Sequence, residues 1–525
     1  MKQKIFSMIG AGLMVLAMSS CHEQSDTLMS YAHQDNLVFG NAEESFAGKF
    51  KVLWNGLNQN YALWDYEMAQ GLDWDAVYDK YLPEFEALDK QEETVTNSQL
   101  EALVREVVCP LHDGHMVVKM KNHKSGDYVA VFPGLVRALA ERPEYQVVNQ
   151  TLPSMKYYAN KTNGQIELDD DGTSAYMEYS TDTEDFLSKF NDTENVGLDW
   201  INDSLTVLKN LITPTLEQLD MYQTLKTLKT ELGYVKDTPS GISLFNTLAN
   251  RYAYLNIPGF DPIDKSFCDN GMEIKAALLK GNIAYLYIDG FKLTRYMHDE
   301  VVKEAFPNPT AATQAHIENV KNVWKYWFDN IQYLHKAGTL GGVIIDVRNN
   351  AGGSMYDFNY LLGALLPSGG FEYGSVRYKR GTGRLDYSPL MPQVIYTMNE
   401  EHAIINEPIV VLANSCSVSM AEITSLCTKY IDNATLIGKR TFGGLCGLTG
   451  IENYSYYYAG HIGEEDKTPV YVYLPLMAQY NREGQILEGI GVTPDIEVDL
   501  DVRQLDLTGK DTQLDRALEF IRNGK

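Results

Sequence analysis

Cysteines and basic residues are both scarce in this sequence. Six cysteines occur among 525 residues, and none has Cys-x-x-Cys spacing, so neither a disulfide framework nor a cysteine zinc site is expected. Lysine and arginine total 44 against 70 aspartates and glutamates, which gives a formal net charge of -26. An acidic chain repels nucleic acid and anionic membrane surfaces, so neither is an expected partner.

Long apolar runs are also missing after the first 20 residues. Near the start, two lysines precede the apolar run Ile5–Met18, and a Ser-Ser-Cys sequence ending at Cys21 follows it. This pattern predicts a secretory signal peptide over residues 1–20 rather than a membrane span. Ser-Ser-Cys also resembles a bacterial lipoprotein cleavage site. That resemblance implies a lipid on Cys21, a tether over residues 21–38 and export to a bacterial cell envelope; an ordinary signal peptide with an incidental cysteine is the alternative.

The rest of the chain has a globular composition, with 44% hydrophobic and 22% charged residues. Helical spacing of apolar residues predicts a helical domain over residues 39–119, and residues 120–268 are interpreted as a mixed α/β insert or cap. Over residues 269–525, apolar strands such as Gly341–Val347 alternate with helices, including a long one around Ala311–Ala337. This alternation predicts an α/β core with a mostly parallel sheet, because a helix normally connects two parallel strands.

Capping residues locate several helices. Asp73 suits the start of one helix, and Asn97 or Ser98 could cap the next, Gln99–Val108. Further helices are predicted at Tyr356–Leu366 and Met420–Ile431.

A serine-rich turn connects a buried strand to a helix. The strand Pro408–Ala413 runs into Asn-Ser-Cys-Ser-Val-Ser, and the helix begins at Met420. Such a turn can lift a hydroxyl out of the sheet edge and point unpaired helix N–H groups at a reacting carbonyl, whose oxyanion they would stabilise. An N-cap serine without chemistry is the alternative.

A glycine-rich turn follows another buried strand. The sequence from Asp346 to Gly353 reads DVRNNAGG, and paired glycines let backbone N–H groups approach a ligand closely. This pattern fits an oxyanion hole better than a phosphate cradle, because the spacing is neither a Walker nor a dinucleotide motif. A tight turn without function is the alternative.

Four motifs occur in an order that resembles the carboxyl-terminal processing and tricorn-type serine peptidases. They are DVRNNAGG, SCSVSMAEI, IGKRTFG and EGIGVTPD, which begin at Asp346, Ser415, Ile437 and Glu488. The resemblance covers roughly Ile283–Val498. It implies a crotonase-like (ClpP/crotonase) α/β core that hydrolyses peptide bonds in peptide or protein substrates without a cofactor. The PDZ domain of many relatives is not recognisable in the insert.

The resemblance also implies roles for single residues. Ser419 would be the nucleophile, three residues before Glu422 in an S-x-x-E turn, with Ser417 as a competing candidate. The oxyanion would accept hydrogen bonds from the backbone N–H groups of Met420 and of Gly352 or Gly353.

The general base differs between branches of the family. One branch uses a lysine just after the T-F-G turn, but Gly444 stands there and the nearest lysine is Lys439. The tricorn branch uses a histidine and a glutamate, which correspond to His115 and Glu488. Imidazole titrates in the range that a serine base needs, and a carboxylate can orient it. The sequence therefore predicts a Ser-His-Glu mechanism, with a Ser-Lys pair using Lys439 as an alternative.

Two other functions are compatible with the sequence. An inactive peptide- or lipid-binding member of the same fold is one, and a crotonase-type acyl-CoA enzyme is another. His112 and His115 lie three residues apart, as metal ligands on a helix do, but the intervening Asp-Gly favours a turn and the sequence shows no third ligand. No metal is therefore expected.

Overall fold

The structure is a computed structural model, and it describes about two thirds of the chain. The described residues are 44–91, 95–142, 167–168, 175–176, 178–180, 272–306, 309, 311–379, 383–397, 403–447, 460–463, 465–475, 477–502, 504–505 and 510–524. The predicted signal peptide, Cys21, the tether and most of the predicted insert lie outside the described residues.

The chain divides into two compact units that do not follow the sequence-based boundaries. The first unit contains residues 1–137, 374–392 and 446–488, and the second contains residues 138–373, 393–445 and 489–525. Two segments that we expected in the core therefore belong with the amino-terminal part. The reason is strand pairing. Val117–Lys121 (β1) pairs antiparallel with Val470–Leu474 (β14), and residues 374–378 pair antiparallel with residues 477–481.

Helices form most of the amino-terminal part of the first unit, as the sequence predicted. They are Phe46–Asn60 (α1), Trp64–Ala69 (α2), Trp74–Lys90 (α3) and Asn97–Val108 (α4), followed by Pro133–Glu141 (α5), which ends in the second unit. Asp73 caps α3 by accepting from the N–H groups of Asp75 and Ala76. Buried aromatic rings, among them Phe50, Phe85 and Trp74, fill the space between these helices.

The cap of α4 differs from the sequence prediction. Thr96 caps this helix in a capping box with Gln99, whereas Asn97 and Ser98 were the predicted caps. Asn97 is the first helical residue, and its side chain instead donates to Asp127 and accepts from Asn122. The long-range use of the Asn97 amide explains the shift.

A four-stranded sheet completes the first unit and positions the turn that carries His115. Its order is Gly460–Ile462 (β13), β14, β1 and Tyr128–Val131 (β2). In β1, intermediate and buried residues alternate, as in a strand with one face on the core. Residues 109–116 form the turn from α4 into this strand. In the same unit, Met477–Asn481 (β15) pairs antiparallel with residues 374–378 of the strand Gly369–Tyr378 (β9).

A seven-stranded sheet organises the second unit and confirms the predicted mostly parallel core. Its order is Ile496–Glu497 (β16), Ala434–Gly438 (β12), Ile409–Ala413 (β11), Gly342–Asp346 (β8), Ile283–Ile288 (β7), Ile274–Leu279 (β6) and Glu178–Ser180 (β5). The pairings from β16 to β7 are parallel, and those of β7 with β6 and β6 with β5 are antiparallel. Strands β7, β8 and β11 are buried along their whole length, as strands covered on both faces are.

The second unit contains five described α-helices, two short 3-10 helices and an antiparallel pair of strands, Glu167–Leu168 (β3) and Ala175–Tyr176 (β4). The strand Met391–Thr397 (β10) lies partly in each unit. The α-helices are Thr294–Met297 (α6), Asp299–Ala305 (α7), Ala311–Ala337 (α8), Met420–Thr428 (α9) and Thr512–Asn523 (α10). Helix α8 confirms the predicted long helix. Helix α10 packs Leu514, Leu518 and Ile521 against the sheet. Among the described residues, no helix combines the length and the apolarity that a membrane crossing requires.

Two helix predictions in the second unit were wrong, one in the type of helix and one in the position of its end. The segment predicted as the helix Tyr356–Leu366 forms the 3-10 helices Met355–Tyr360 and Leu362–Leu365, because Leu361 has a non-helical φ of -115° and ψ of -112°. Helix α9 ends at Thr428 rather than Ile431, since the next residues change to hydrogen bonds three residues apart.

A buried ion-pair network fixes the end of β8, where the glycine-rich turn begins. Arg348 donates to both oxygens of Asp346 at 2.9 and 2.6 Å and pairs with Asp511 at 2.7 Å. Tyr285 adds a hydrogen bond to Asp346 at 2.8 Å. Because these groups are buried, the backbone of Asp346 and Arg348 is held firmly at the sheet edge.

Candidate active site

Ser419 lies in a strained turn between β11 and α9. Its φ of 57° and ψ of -117° fall in a region that residues with a Cβ rarely adopt. Such strain persists only where surrounding contacts fix the backbone, and it is concentrated at functional sites. The side chain is partly exposed, and the N–H of Ser419 donates to the Gly444 carbonyl at 3.1 Å. The geometry resembles the strand-to-helix turns that present a nucleophile.

The competing Ser417 has a structural position. It is fully buried, and its hydroxyl donates to the Val347 carbonyl at 2.7 Å and accepts from the Asn414 N–H at 3.0 Å. A hydroxyl held between two backbone groups without solvent access is poorly placed to attack a substrate. The geometry therefore favours Ser419.

Glu422 fixes the Ser419 turn, a role that the sequence showed only as a motif position. Its buried carboxylate accepts from the Ser419 N–H at 3.2 Å and from the Thr441 hydroxyl at 2.6 Å. It also accepts from the N–H groups of Gly443 and Gly444 at 2.7 and 2.6 Å. Burial raises the pKa of Glu422 to about 7, and these hydrogen bonds oppose the rise. Since all four neighbours donate, the arrangement suits the ionised carboxylate.

The glycine-rich turn packs directly against Ser419. A Cβ on Gly352, whose φ is +85°, would lie 2.6 Å from the Ser419 Cβ and 2.9 Å from the Met420 nitrogen. The N–H of Gly352 already donates to the Asn350 side chain at 2.8 Å. Within the described residues, the exposed Gly353 has no hydrogen bond from its N–H, and Met420 is the first residue of a helix, where N–H groups lack intrahelical partners. Two backbone donors are thus available beside the serine turn.

His115 lies in a turn that two carboxylates shape. Asp113 Oδ1 accepts from the N–H groups of His115 and Met116, both at 2.8 Å. Glu488 Oε1 accepts from the Gly114 N–H at 2.7 Å and lies 3.9 Å from His115 Nδ1. Residues 113–116 and Glu488 therefore form one connected cluster in the first unit.

The imidazole of His115 is largely shielded from solvent. Its side chain is 10% exposed, and neither ring nitrogen has a hydrogen-bond partner among the described residues. Burial lowers the pKa of His115 to about 4, so the ring is unprotonated near neutral pH. Burial also raises the pKa of the neighbouring Asp113 carboxyl. Its Oδ2 has no hydrogen-bond partner among the described residues.

Glu67 holds the beginning of this turn, and sequence reasoning missed it. Its buried carboxylate accepts from the His112 N–H at 2.6 Å and the Tyr61 hydroxyl at 2.7 Å, and it contacts His112 Nδ1 at 2.7 Å. His112 therefore contacts Glu67 through both its backbone and its side chain, which indicates a structural role. Glu67 lies 45 residues before His112, so no local sequence motif connects the two residues.

Lys439, the alternative base, forms ion pairs instead. Its ammonium lies 2.6 Å from Glu497 and 2.7 Å from Asp499. Burial lowers its pKa, but the two carboxylates more than offset this, and the net effect is a raised pKa. A lysine base must lose its proton, so this environment opposes the role.

The predicted site residues thus form two groups. Ser419, Met420, Gly352 and Gly353 lie together in the second unit, and His115 and Glu488 lie together in the first. Residues 282–498, which contain all of these except His115, match the model of peptidase family S41.

Comparisons with other proteins give weaker similarities. No match is found among the curated proteins. A candidate peptidase from Parabacteroides merdae ATCC 43184 is 16% identical, with 92% of this chain and 98% of that chain covered and a TM-score of 0.45. Mature CPAF is 13% identical over 92% and 98% of the chains, with a TM-score of 0.45. The photosystem II D1 C-terminal processing protease is 12% identical over 89% and 98%, with a TM-score of 0.32.

Alanine substitution of Gly352 tests the close approach at the serine turn. A left-handed φ costs about 1–2 kcal/mol for alanine at any site. Gly352→Ala adds steric conflict with Ser419 and Met420, so we expect it to lower hydrogen-exchange protection across Met420–Thr428. Gly126→Ala is the matched control, because Gly126 has the same φ of +85° but no atom within 4 Å of the added Cβ. Equal protection of this helix in both variants would contradict the packing described.

Proposed function

We propose that this chain is a serine-type peptidase of family S41, whose model matches residues 282–498, and that it uses a Ser-His-Glu mechanism. The proposed reaction is hydrolysis of a peptide bond in a peptide or protein substrate through an acyl-enzyme. The strained backbone of Ser419 beside unpaired N–H donors is the observation that carries this proposal.

Ser419 is the proposed nucleophile. Its hydroxyl oxygen bonds to the substrate carbonyl carbon while the hydroxyl proton passes to His115. The tetrahedral intermediate then collapses, the carbon–nitrogen bond breaks, and His115 returns the proton to the leaving amine. Water attacks the acyl-enzyme by the same route and restores the serine.

The oxyanion is assigned to the N–H groups of Met420 and Gly353. Gly353 is the better donor of the two candidate glycines, because the Gly352 N–H is already bound to Asn350. Gly352 has a different role: because it has no side chain, the glycine-rich turn can pack against the Ser419 turn. Donors aimed at the oxyanion stabilise the transition state more than the substrate, which is what accelerates the reaction.

His115 is the proposed general base, with Glu488 as the group that orients it. The neutral state of His115 supports the role, because only an unprotonated nitrogen accepts the serine proton. The negative charge of Glu488 would stabilise the imidazolium that forms. This assignment requires that the imidazole reach the Ser419 hydroxyl in the working enzyme.

A crotonase-like core is the fold that we infer for the second unit. Strands β8 and β11 are parallel neighbours, so the two turns that follow them meet at the carboxyl edge of the sheet. Ligand sites of parallel sheets form at this edge.

Export and lipid anchoring complete the proposal. The basic start, the apolar run and the Ser-Ser-Cys sequence support cleavage before Cys21 and lipid attachment to its thiol. The mature enzyme would then act in a bacterial cell envelope, held to a membrane only by its lipid.

Ser419→Ala tests the nucleophile. We expect hydrolysis of a peptide library to fall to background and labelling by a fluorophosphonate probe to disappear, because no hydroxyl remains to attack. Ser417→Ala is the control and should keep labelling in its folded fraction, measured by circular dichroism. Labelling that persists in Ser419→Ala would refute the assignment, and tight peptide binding without any cleavage by the unaltered chain would favour an inactive binding protein.

Paired substitutions distinguish the two candidate bases. His115→Ala should lower kcat by about 10⁴–10⁶-fold, as loss of a triad member does, with unchanged circular dichroism. Lys439→Ala should retain hydrolysis, because the proposed mechanism does not use Lys439. The variant should also stay folded, since a surface ion pair contributes only about 0–1 kcal/mol to stability. The opposite pattern would establish a Ser-Lys mechanism.

Cys21→Ser tests the lipid anchor. When expressed in a bacterium, the unaltered protein should enter the detergent phase and incorporate labelled palmitate. The Cys21→Ser protein should do neither, because the acceptor thiol is gone, whereas Cys109→Ser should behave as the unaltered protein. Palmitate incorporation into Cys21→Ser would rule out this site of attachment.

A further inference from the structure

We propose that Asp113, His115 and Glu488 form an inhibitory binding site for a divalent transition-metal ion such as Zn²⁺. Metal binding is argued from the cluster alone, whereas inhibition rests on the proposed function of His115 and Glu488. The sequence showed no third ligand near His112 and His115. The fold supplies two carboxylates to His115, and it directs His112 to Glu67 instead.

The first support is a concentration of buried polar atoms without hydrogen-bond partners. Both ring nitrogens of His115 and Oδ2 of Asp113 are buried and lack hydrogen-bond partners among the described residues. Asp113 and Glu488 are fully buried, and the His115 side chain is 10% exposed. Buried polar atoms are normally satisfied, so this cluster has capacity for a cation or a water molecule.

The second support is the geometry of the three side chains. Each offers one ligand atom, and these atoms lie within 4.8 Å of one another. Glu488 Oε1 and His115 Nδ1 are 3.9 Å apart. Zn²⁺ binds oxygen and nitrogen at about 2.0–2.2 Å, so the ligands need to close by roughly 1 Å around the ion.

The backbone keeps the three ligands close enough for this closure. Asp113 and His115 are separated only by Gly114, whose N–H donates to Glu488 at 2.7 Å. The Asp113 carboxylate in turn accepts from the His115 N–H at 2.8 Å. The backbone therefore holds the three side chains near one another, and we expect side-chain rotation to bring their ligand atoms onto one ion.

The ligand set selects the class of metal. An imidazole nitrogen with two carboxylates suits Zn²⁺ and similar ions, whereas Mg²⁺ and Ca²⁺ prefer oxygen ligands alone. Three protein ligands leave a fourth position for water. A metal on an imidazole nitrogen draws His115 and both carboxylates into one coordination sphere. The ring is then no longer free to exchange a proton with Ser419.

Titration calorimetry on the full-length Ser419→Ala protein tests binding independently of catalysis. Zinc chloride should bind with a stoichiometry of about one, and magnesium chloride should not compete. His115→Ala and Asp113→Asn should each weaken binding by at least about tenfold, the scale on which single groups at metal sites act. Circular dichroism confirms that each variant is folded.

His335→Ala is the matched control for the calorimetry. His335 also contacts a carboxylate, with Nδ1 2.9 Å from Glu407, but this pair lies elsewhere and is more exposed. Its loss should leave Zn²⁺ binding unchanged. Absence of binding, binding unaffected by His115→Ala, or equal affinity for Mg²⁺ would overturn the proposed site.

Hydrolysis by the unaltered protein tests the inhibition. Zn²⁺ should suppress turnover at the concentrations that saturate the calorimetric site, and excess chelator should restore it. Full activity at saturation would refute the inhibitory role. If the metal-free protein hydrolyses no peptide, the proposed function fails, while the calorimetry still decides the metal site.

Discussion

The buried carboxylate of Glu422 is the interaction on which the serine turn depends. Ser419 has a positive φ in a sparsely populated backbone region, which costs about 1–3 kcal/mol for a residue with a Cβ. Glu422 accepts four hydrogen bonds, and bonds to a charged group contribute about 1.5–3 kcal/mol each. Because one carboxylate accepts from both the Ser419 N–H and the loop Thr441–Gly444, the strained turn is tied to that loop.

A similar arrangement fixes the histidine turn. Glu488 binds the N–H of Gly114 through one oxygen and the N–H of Cys446 through the other, at 2.7 and 2.6 Å. Asp113 and Glu67 bind further N–H groups of residues 112–116. In both units, therefore, a turn with a candidate catalytic side chain is built around buried carboxylates that accept from backbone donors. Carboxylates suit this task since they present only acceptors to a backbone rich in unpaired N–H groups.

Local sequence patterns predicted the parallel sheet, the long helix Ala311–Ala337 and the two turns at strand ends. These features depend on periodicity, capping and glycine, all of which act over a few residues. Long-range partners were not predictable in the same way. No sequence motif indicates the long-range contacts of Glu67 and Asn97. Residues 446–488 belong to the first unit because their strand pairs with β1, with Val117 opposite Tyr473. The 3-10 helices after Ser354 were missed because the apolar spacing of a short segment does not distinguish them from an α-helix.

The low pKa of His115 is compatible with catalysis only if its surroundings change during the reaction. An imidazole that titrates near pH 4 accepts a proton reluctantly while it is isolated and buried. Glu488 Oε1 lies 3.9 Å from His115 Nδ1, beyond hydrogen-bond distance, so the two groups form no hydrogen bond in this state. In the proposed mechanism, a proton on the ring would create an imidazolium, whose attraction to the Glu488 carboxylate would shorten this contact and stabilise the charged pair. The interaction would then be stronger in the transition state than in the resting protein, which is the condition for it to accelerate the proposed reaction rather than merely hold the histidine in place.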